Sequence, residues 1–188
     1  MEALREEKQY YTYADYCTWP DGERWELIDG KAFAMAPAPS VGHQGVSSNI
    51  HGQFYNFLKG KPCKVFHAPF DVRLNADTYD DTVVQPDLVI ICDRSILRDT
   101  GCIGAPDMVV EILSPSTLRR DRTLKFDLYL KAGVREYWII DPATKTLSAH
   151  VLKNGEYTIR AYTDTDIVPV HVLEGCMINL TDVFDYWA

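Results

Sequence analysis

The sequence has no apolar run long enough to span a membrane, no C-x-x-C pair, no G-x-S-x-G elbow and no glycine-rich phosphate loop. These absences argue against a membrane helix, a zinc knuckle, a serine-hydrolase elbow and a phosphatase-like hydrolase of small phosphates. The cysteines Cys17, Cys63, Cys92, Cys102 and Cys176 are odd in number and lack ligand spacing. A disulfide framework is therefore not expected, and the thiols read as reduced, several of them buried. Positive charge is scarce as well: 19 Lys and Arg stand against 27 Asp and Glu, a net charge of −8. Such a chain is poorly suited to coat nucleic acid blindly, because phosphate attraction needs Lys and Arg. It is suited to a local basic face, or to carboxylates gathered round a cation. The opening Met1-Glu2-Ala3-Leu4-Arg5-Glu6-Glu7-Lys8 carries no apolar signal, which predicts a cytoplasmic setting. Residues 1–9 read as a flexible tail and 10–188 as one domain.

What is present alternates between strand and helix signals. "RWELIDGKAFAMAP" sets two apolar runs around Asp29-Gly30, a hairpin turn, and "LSAHVLKNGEYTIRAY" predicts another. Thr12 predicts a cap for a short helix over 13–18, halted by Pro20. Val46, Ile50, Phe54, Phe57 and Leu58 recur at helical spacing and predict a helix over 42–59. "CKVFHAPFDVRL" reads as a strand pair or one bent strand. "TVVQPDLVIIC" reads as a strand carrying Pro86 at a bulge or sheet edge. Residues 94–104 read as a connection with a helical turn. "PDMVVEILS", then "LRRDRTLKFDLYLKAG" closed by Gly133, then "EYWIID" is a strand-helix-strand crossover. "IVPVHV" adds a strand, and "INLTDVFDYWA" ends in a short helical turn. The expected class is α/β, with a mixed central sheet flanked by helices and extra hairpins.

Two carboxylates interrupt apolar strands: Asp87 in "VVQPDLVII" and Glu111 in "MVVEILS". A buried unpaired charge costs several kcal/mol or forces a pKa shift. If the two strands pair, both side chains can enter one crevice, and paired hard oxygens suit Mg²⁺ or Mn²⁺. Taken singly, Glu111 reads equally as a carboxylate paired with Arg, and Asp87 as a turn former after Pro86. In the crossover helix, Thr117, Asp121, Lys125 and Tyr129 share one stripe. Spacing alone makes that stripe a solvated face, with Asp121 and Lys125 as a weak surface pair.

"PDMVVEILSPST…D…K…Y…AGVREYWIIDP", preceded by "QPDLVII" and "RWELIDGKAFAM", resembles the Uma family of restriction-endonuclease-like proteins within the PD-(D/E)xK nuclease superfamily. The resemblance spans about residues 11–184 and rests on several motifs in order. It implies a restriction-endonuclease-like fold with acidic residues on its central strands. It implies that Asp87 and Glu111 are the catalytic acidic pair and bind Mg²⁺, with Mn²⁺ as substitute. Leu113 stands where the motif places Lys; the resemblance implies that Lys125, on the helix, takes that role. It also implies that Glu26 supports the cation and that His43 binds phosphate, a backbone group or Glu26. Against this, Glu26 reads as a hairpin carboxylate paired with Arg24 or Lys31, and His43 as a capping or packing residue. His51, His67, His150 and His171 are scattered and read as structural. Ser114 and Ser116 read as turn and cap residues.

Arg119, Arg120 and Arg122 lie beside Lys125 and read either as a solvated face or as contacts to a DNA backbone. The leading expectation is a Mg²⁺-dependent endonuclease acting on DNA, with RNA left open, and a homodimer for cutting both strands. The alternative is a catalytically weak nuclease-fold module that binds nucleic acid or a partner. Leu113 and the acidic charge favour it.

Overall fold

A computed structural model describes residues 9–20, 22–35, 38–114 and 123–186 of the chain. Its hairpins form where the turn chemistry demands them. Asp29 (φ 48°) and Gly30 (φ 73°) both occupy the left-handed region, as a type I′ turn requires. They join β1 (Trp25–Ile28) to β2 (Lys31–Ala34), with Ile28 opposite Lys31. Asn154 and Gly155 do the same between β11 (Thr146–Lys153) and β12 (Glu156–Thr163).

The strands between them are β3 (Lys64–His67), β4 (Asp71–Arg73), β5 (Val83–Val84), β6 (Leu88–Ile91), β7 (Leu97–Arg98), β8 (Gly101–Ile103), β9 (Met108–Ile112) and β10 (Glu136–Asp141). They divide into two six-stranded mixed sheets, ordered β2-β1-β5-β4-β8-β7 and β12-β11-β10-β9-β6-β3. The mixed-sheet α+β class holds, with a second full sheet where only hairpins were expected. "TVVQPDLVIIC" is not one strand. It breaks at Gln85-Pro86-Asp87, with β5 in the first sheet and β6 in the second. Pro86 has no N–H for a ladder, and the Asp87 carboxylate, not its backbone, accepts from Ile112 N at 2.7 Å. "CKVFHAPFDVRL" likewise splits into β3 and β4, one per sheet. The 94–104 connection holds a 3₁₀ turn, Arg94–Ile96, followed by the β7–β8 hairpin.

Four α-helices lie among the described residues: α1 (Tyr13–Tyr16), α2 (Val41–Leu58), α3 (Leu124–Ala132) and α4 (Leu180–Phe184). None of them is long and apolar enough to cross a membrane. In α1, the Asp15 carboxylate accepts from Thr12 N at 2.8 Å and Thr12 Oγ1 at 3.0 Å, closing the N-terminal turn. α3 ends at Gly133 (φ 82°), whose N–H reaches Leu130 O and Tyr129 O. The predicted start of that helix, with Ser116, Thr117 and Asp121, lies outside the described residues, as do residues 1–8. β9 and β10 pair in parallel from Met108 opposite Glu136, as a crossover requires. β13 (Ile167–Pro169) pairs with β14 (Met177–Asn179) in a separate ribbon.

Strand alternation decides which face each residue takes. Leu88, Ile90, Met108, Val110, Ile112, Trp138 and Ile140 pack under Val46, Ile50, Phe54 and Leu58 of α2. Val89, Val109, Tyr137 and Ile139 take the other face, against Tyr129 of α3 and Ile28, Val72 and Val84 of the first sheet. Glu111 falls on this second face, between Val109 and Leu113.

The cysteine expectation fails for two residues. Cys63 and Cys92 form a disulfide, with Cα atoms 3.9 Å apart. The β3–β6 register places Lys64 opposite Ile91, so the next pair outward is Cys63 and Cys92. Strand pairing thus brings together thiols that spacing leaves unrelated. Cys17, Cys102 and Cys176 are free, the last two buried.

Candidate active site

Glu111 is 4% exposed, yet its charge is matched. Its Oε1 lies 2.7 Å from Lys125 Nζ and accepts from Tyr129 OH at 2.7 Å. Lys125 and Tyr129 stand one turn apart on α3, so a single helix face supplies both donors. Burial, and then the nearby Glu111 charge, hold the Tyr129 phenol well above its usual range. It stays protonated and donates. Lys125 is 2% exposed, so it belongs to no solvated face.

Glu26 approaches the same ammonium from the first sheet. It is fully buried on β1, with Oε1 2.8 Å from Lys125 Nζ and accepting from Gln85 N at 3.1 Å. Arg24 donates to Gln85 Oε1, at 3.2 and 3.0 Å. Lys125 therefore ties a carboxylate of each sheet to one helix.

Asp87 completes the group. β6 and β9 pair with Leu88 opposite Val110, so Asp87, just before β6, comes beside the Glu111-Ile112 end of β9. Asp87 Oδ2 takes the Ile112 N–H at 2.7 Å, and Oδ1 lies 3.3 Å from His43 Nε2. His43 sits in the first turn of α2, where its backbone N donates to the Ser40 cap at 3.2 Å. The His43 ring thus meets Asp87 through Nε2. The Asp87 side chain is 21% exposed, against 5% for Glu111 and none for Glu26, so solvent reaches the group chiefly at Asp87.

Glu26, Asp87 and Glu111 against Lys125 leave two negative charges when all are ionised. Hard carboxylate oxygens with that balance fit one divalent cation. Among the described residues, no three His, Cys, Asp or Glu side chains stand close enough together to hold a metal ion by themselves. Arg119, Arg120 and Arg122 lie outside the described residues. Of the other histidines, His51 and His67 meet edge to face at 5.3 Å, and His171 Nδ1 lies 3.6 Å from Glu136 Oε1. Two participants were given no site role from sequence: Tyr129 and Gln85. Tyr129 was visible as the residue one turn after Lys125. Gln85 had no local signal, because its role comes from the sheet break at Pro86.

The family model described as "Uma2: Putative restriction endonuclease" matches residues 12–181. An uncharacterized protein of Synechocystis sp. (strain PCC 6803) is 29% identical over 157 residues, covering 81% of this chain and 80% of that protein. A crystal structure described as "a putative nuclease belonging to DUF820", from Anabaena variabilis ATCC 29413, aligns with a TM-score of 0.75. The identity there is 22%, over 93% of this chain and 98% of the other, and it shows a shared fold.

Proposed function

We propose that this chain, which belongs to the Uma2 family of restriction-endonuclease-like proteins, hydrolyses phosphodiester bonds in DNA with the help of Mg²⁺. One observation carries the reading: Glu26, Glu111 and Lys125 meet at 2.7–2.8 Å, with the Asp87 carboxylate bonded to the N–H of Ile112, the residue after Glu111. A structural ion pair needs one carboxylate per ammonium. Gathering two buried carboxylates around one Lys, with Asp87 bonded to the residue after Glu111, has a purpose if a cation is to be held.

Asp87 and Glu111 are the residues that would hold the cation. When bound, a divalent cation lowers the pKa of a water and offsets charge growing on the phosphate. The protein's own groups do the rest. His43 and the Ile112 N–H fix the Asp87 carboxylate. Tyr129 fixes Glu111. Glu26 anchors Lys125, so that its positive charge stays beside the reacting phosphate. Arg119, Arg120 and Arg122 are proposed to grip the DNA backbone. Cutting both strands would take two copies of the chain in a symmetric pair.

A second reading has its own support. Glu26 and Glu111 are shut from solvent, and Lys125 already engages both. That closure favours a catalytically weak nucleic-acid-binding module. A Mg²⁺ titration followed by thermal melting separates the two. The hydrolytic reading expects a saturable rise in melting temperature that Asp87→Asn abolishes. No rise in the unaltered protein favours the module.

A further inference from the structure

Beside the carboxylate cluster lies a cavity of about 560 Å³ whose walls include Phe66, Phe70, Asp71, Gln85, Arg98 and Thr100. The Phe66 and Phe70 rings stack, with centroids 4.9 Å apart and planes 22° from parallel, and both are half-buried. On β4 and β5, Val72 faces Val84, so one step along the ladder sets Asp71 opposite Gln85. Asp71 Oδ1 accepts from Gln85 Nε2 and from Tyr16 OH, each at 3.0 Å. Burial pushes the Asp71 carboxyl above its usual range. Arg98 is exposed, and its Nη1 is held by Ser95 O at 2.9 Å and Leu97 O at 2.7 Å.

The cavity adjoins the candidate active site on two sides. Gln85 lines it, and the Gln85 backbone N donates to Glu26 Oε1 at 3.1 Å. Pro69 lines it, and the preceding Ala68 N donates to Asp87 O at 3.0 Å. We propose that this cavity receives an unpaired nucleobase of the DNA on which the neighbouring site acts. The identity of the substrate rests on the hydrolytic reading above; the base-binding chemistry does not.

Three features select a base. Parallel aromatic rings extend naturally by a third flat ring, and any base offers a flat face for such stacking. Asp71 and Asp99 against Arg98 make the interior unfavourable to a free phosphate, which excludes a simple anion. A carboxylate does accept from an exocyclic amino group, as on cytosine. A base already unpaired is the least costly to capture, so the cavity favours DNA with a bulge or mismatch over a perfect duplex.

Amide NMR of the full chain, without metal, tests this. The probes are cytidine, deoxyribose 5-phosphate, a fully paired short duplex, and the same duplex with one bulged cytosine. Cytidine and the bulged duplex are expected to shift the same amides around Phe70 and Thr100, while the other two leave them unmoved. Phe70→Leu, which keeps apolar bulk, is expected to weaken both about tenfold or more. Asp71→Asn should weaken them by a smaller factor. Binding of cytidine but not of the bulged duplex would overturn the proposal, since the cavity would then serve a free nucleoside. Equal shifts from deoxyribose 5-phosphate, or no effect of either substitution, would overturn it too. Plasmid nicking measured alongside keeps the readings apart: base binding without nicking removes only the hydrolytic one, and nicking without base binding removes only this one.

Discussion

Lys125 Nζ stands 2.7 Å from Glu111 Oε1, and the two side chains are only 3% and 5% exposed. The carboxylate that looked misplaced in an apolar strand is therefore held by a helix-borne ammonium. That ammonium also holds Glu26 at 2.8 Å. The cluster binds the two sheets and α3 to one another, so its stability and its chemistry are open to the same substitutions.

Lys125→Met keeps the apolar stem and deletes the charge. Glu26 and Glu111 would then sit buried with no ammonium between them. Breaking a buried pair by removing one partner costs about 3–5 kcal/mol. Urea unfolding without Mg²⁺ is expected to show a loss of that size, and added Mg²⁺ to recover part of it. A loss below about 1 kcal/mol would mean the side chain is not buried as described.

Tyr129→Phe removes one hydrogen bond to a charged acceptor and little volume. The expected cost is about 1.5–3 kcal/mol, read by the same unfolding experiment. A neutral effect would show that Glu111 does not depend on the phenol.

His150 gives the fold a pH dependence away from the site. Its Nε2 lies 2.8 Å from Ser148 Oγ, and the rings of Phe126, Tyr137 and Tyr157 surround it. Burial lowers its pKa from 6.5 to about 4. Above pH 6.5 the ring is neutral folded or unfolded and has no effect. Between 6.5 and about 4 the unfolded chain takes up a proton that the folded chain refuses, so stability falls as acid is added. The loss is on the order of 2 kcal/mol after allowing for solvent screening. His150→Phe is expected to flatten that part of the stability–pH curve, and an unchanged curve would assign the dependence elsewhere.

Gly101 has no room for a side chain. A Cβ there would lie 1.8 Å from Asp71 O, where β4 and β8 run side by side. Gly101→Ala must push the strands apart, at about 1–3 kcal/mol. The same displacement is expected to blunt cytidine binding in the cavity above Asp71, measured by amide NMR.

Local chemistry made much of this legible in the sequence. Asp29-Gly30 specified its turn, and the helix expected over 42–59 is Val41–Leu58. Glu111 announced itself as a charge within apolar neighbours. What stayed hidden depends on which strand meets which. Apolar alternation says that a strand is half-buried but not which sheet it joins, so the break at Pro86 read as a bulge or a sheet edge. The Cys63–Cys92 bond follows from the β3–β6 register, which no local spacing encodes. Lys125 shows the limit most clearly. Its spacing suggests a solvated face, and only the packing of α3 over two acidic strands buries it.

The most direct test is relaxation of supercoiled plasmid by the purified chain. With Mg²⁺ or Mn²⁺ the unaltered protein is expected to nick DNA, and EDTA to stop it. Asp87→Ala and Glu111→Ala are each expected to slow nicking by about a hundredfold or more. Equal nicking by both variants, or nicking that persists in EDTA, would contradict the assignment of these two carboxylates to a cation-dependent hydrolytic site.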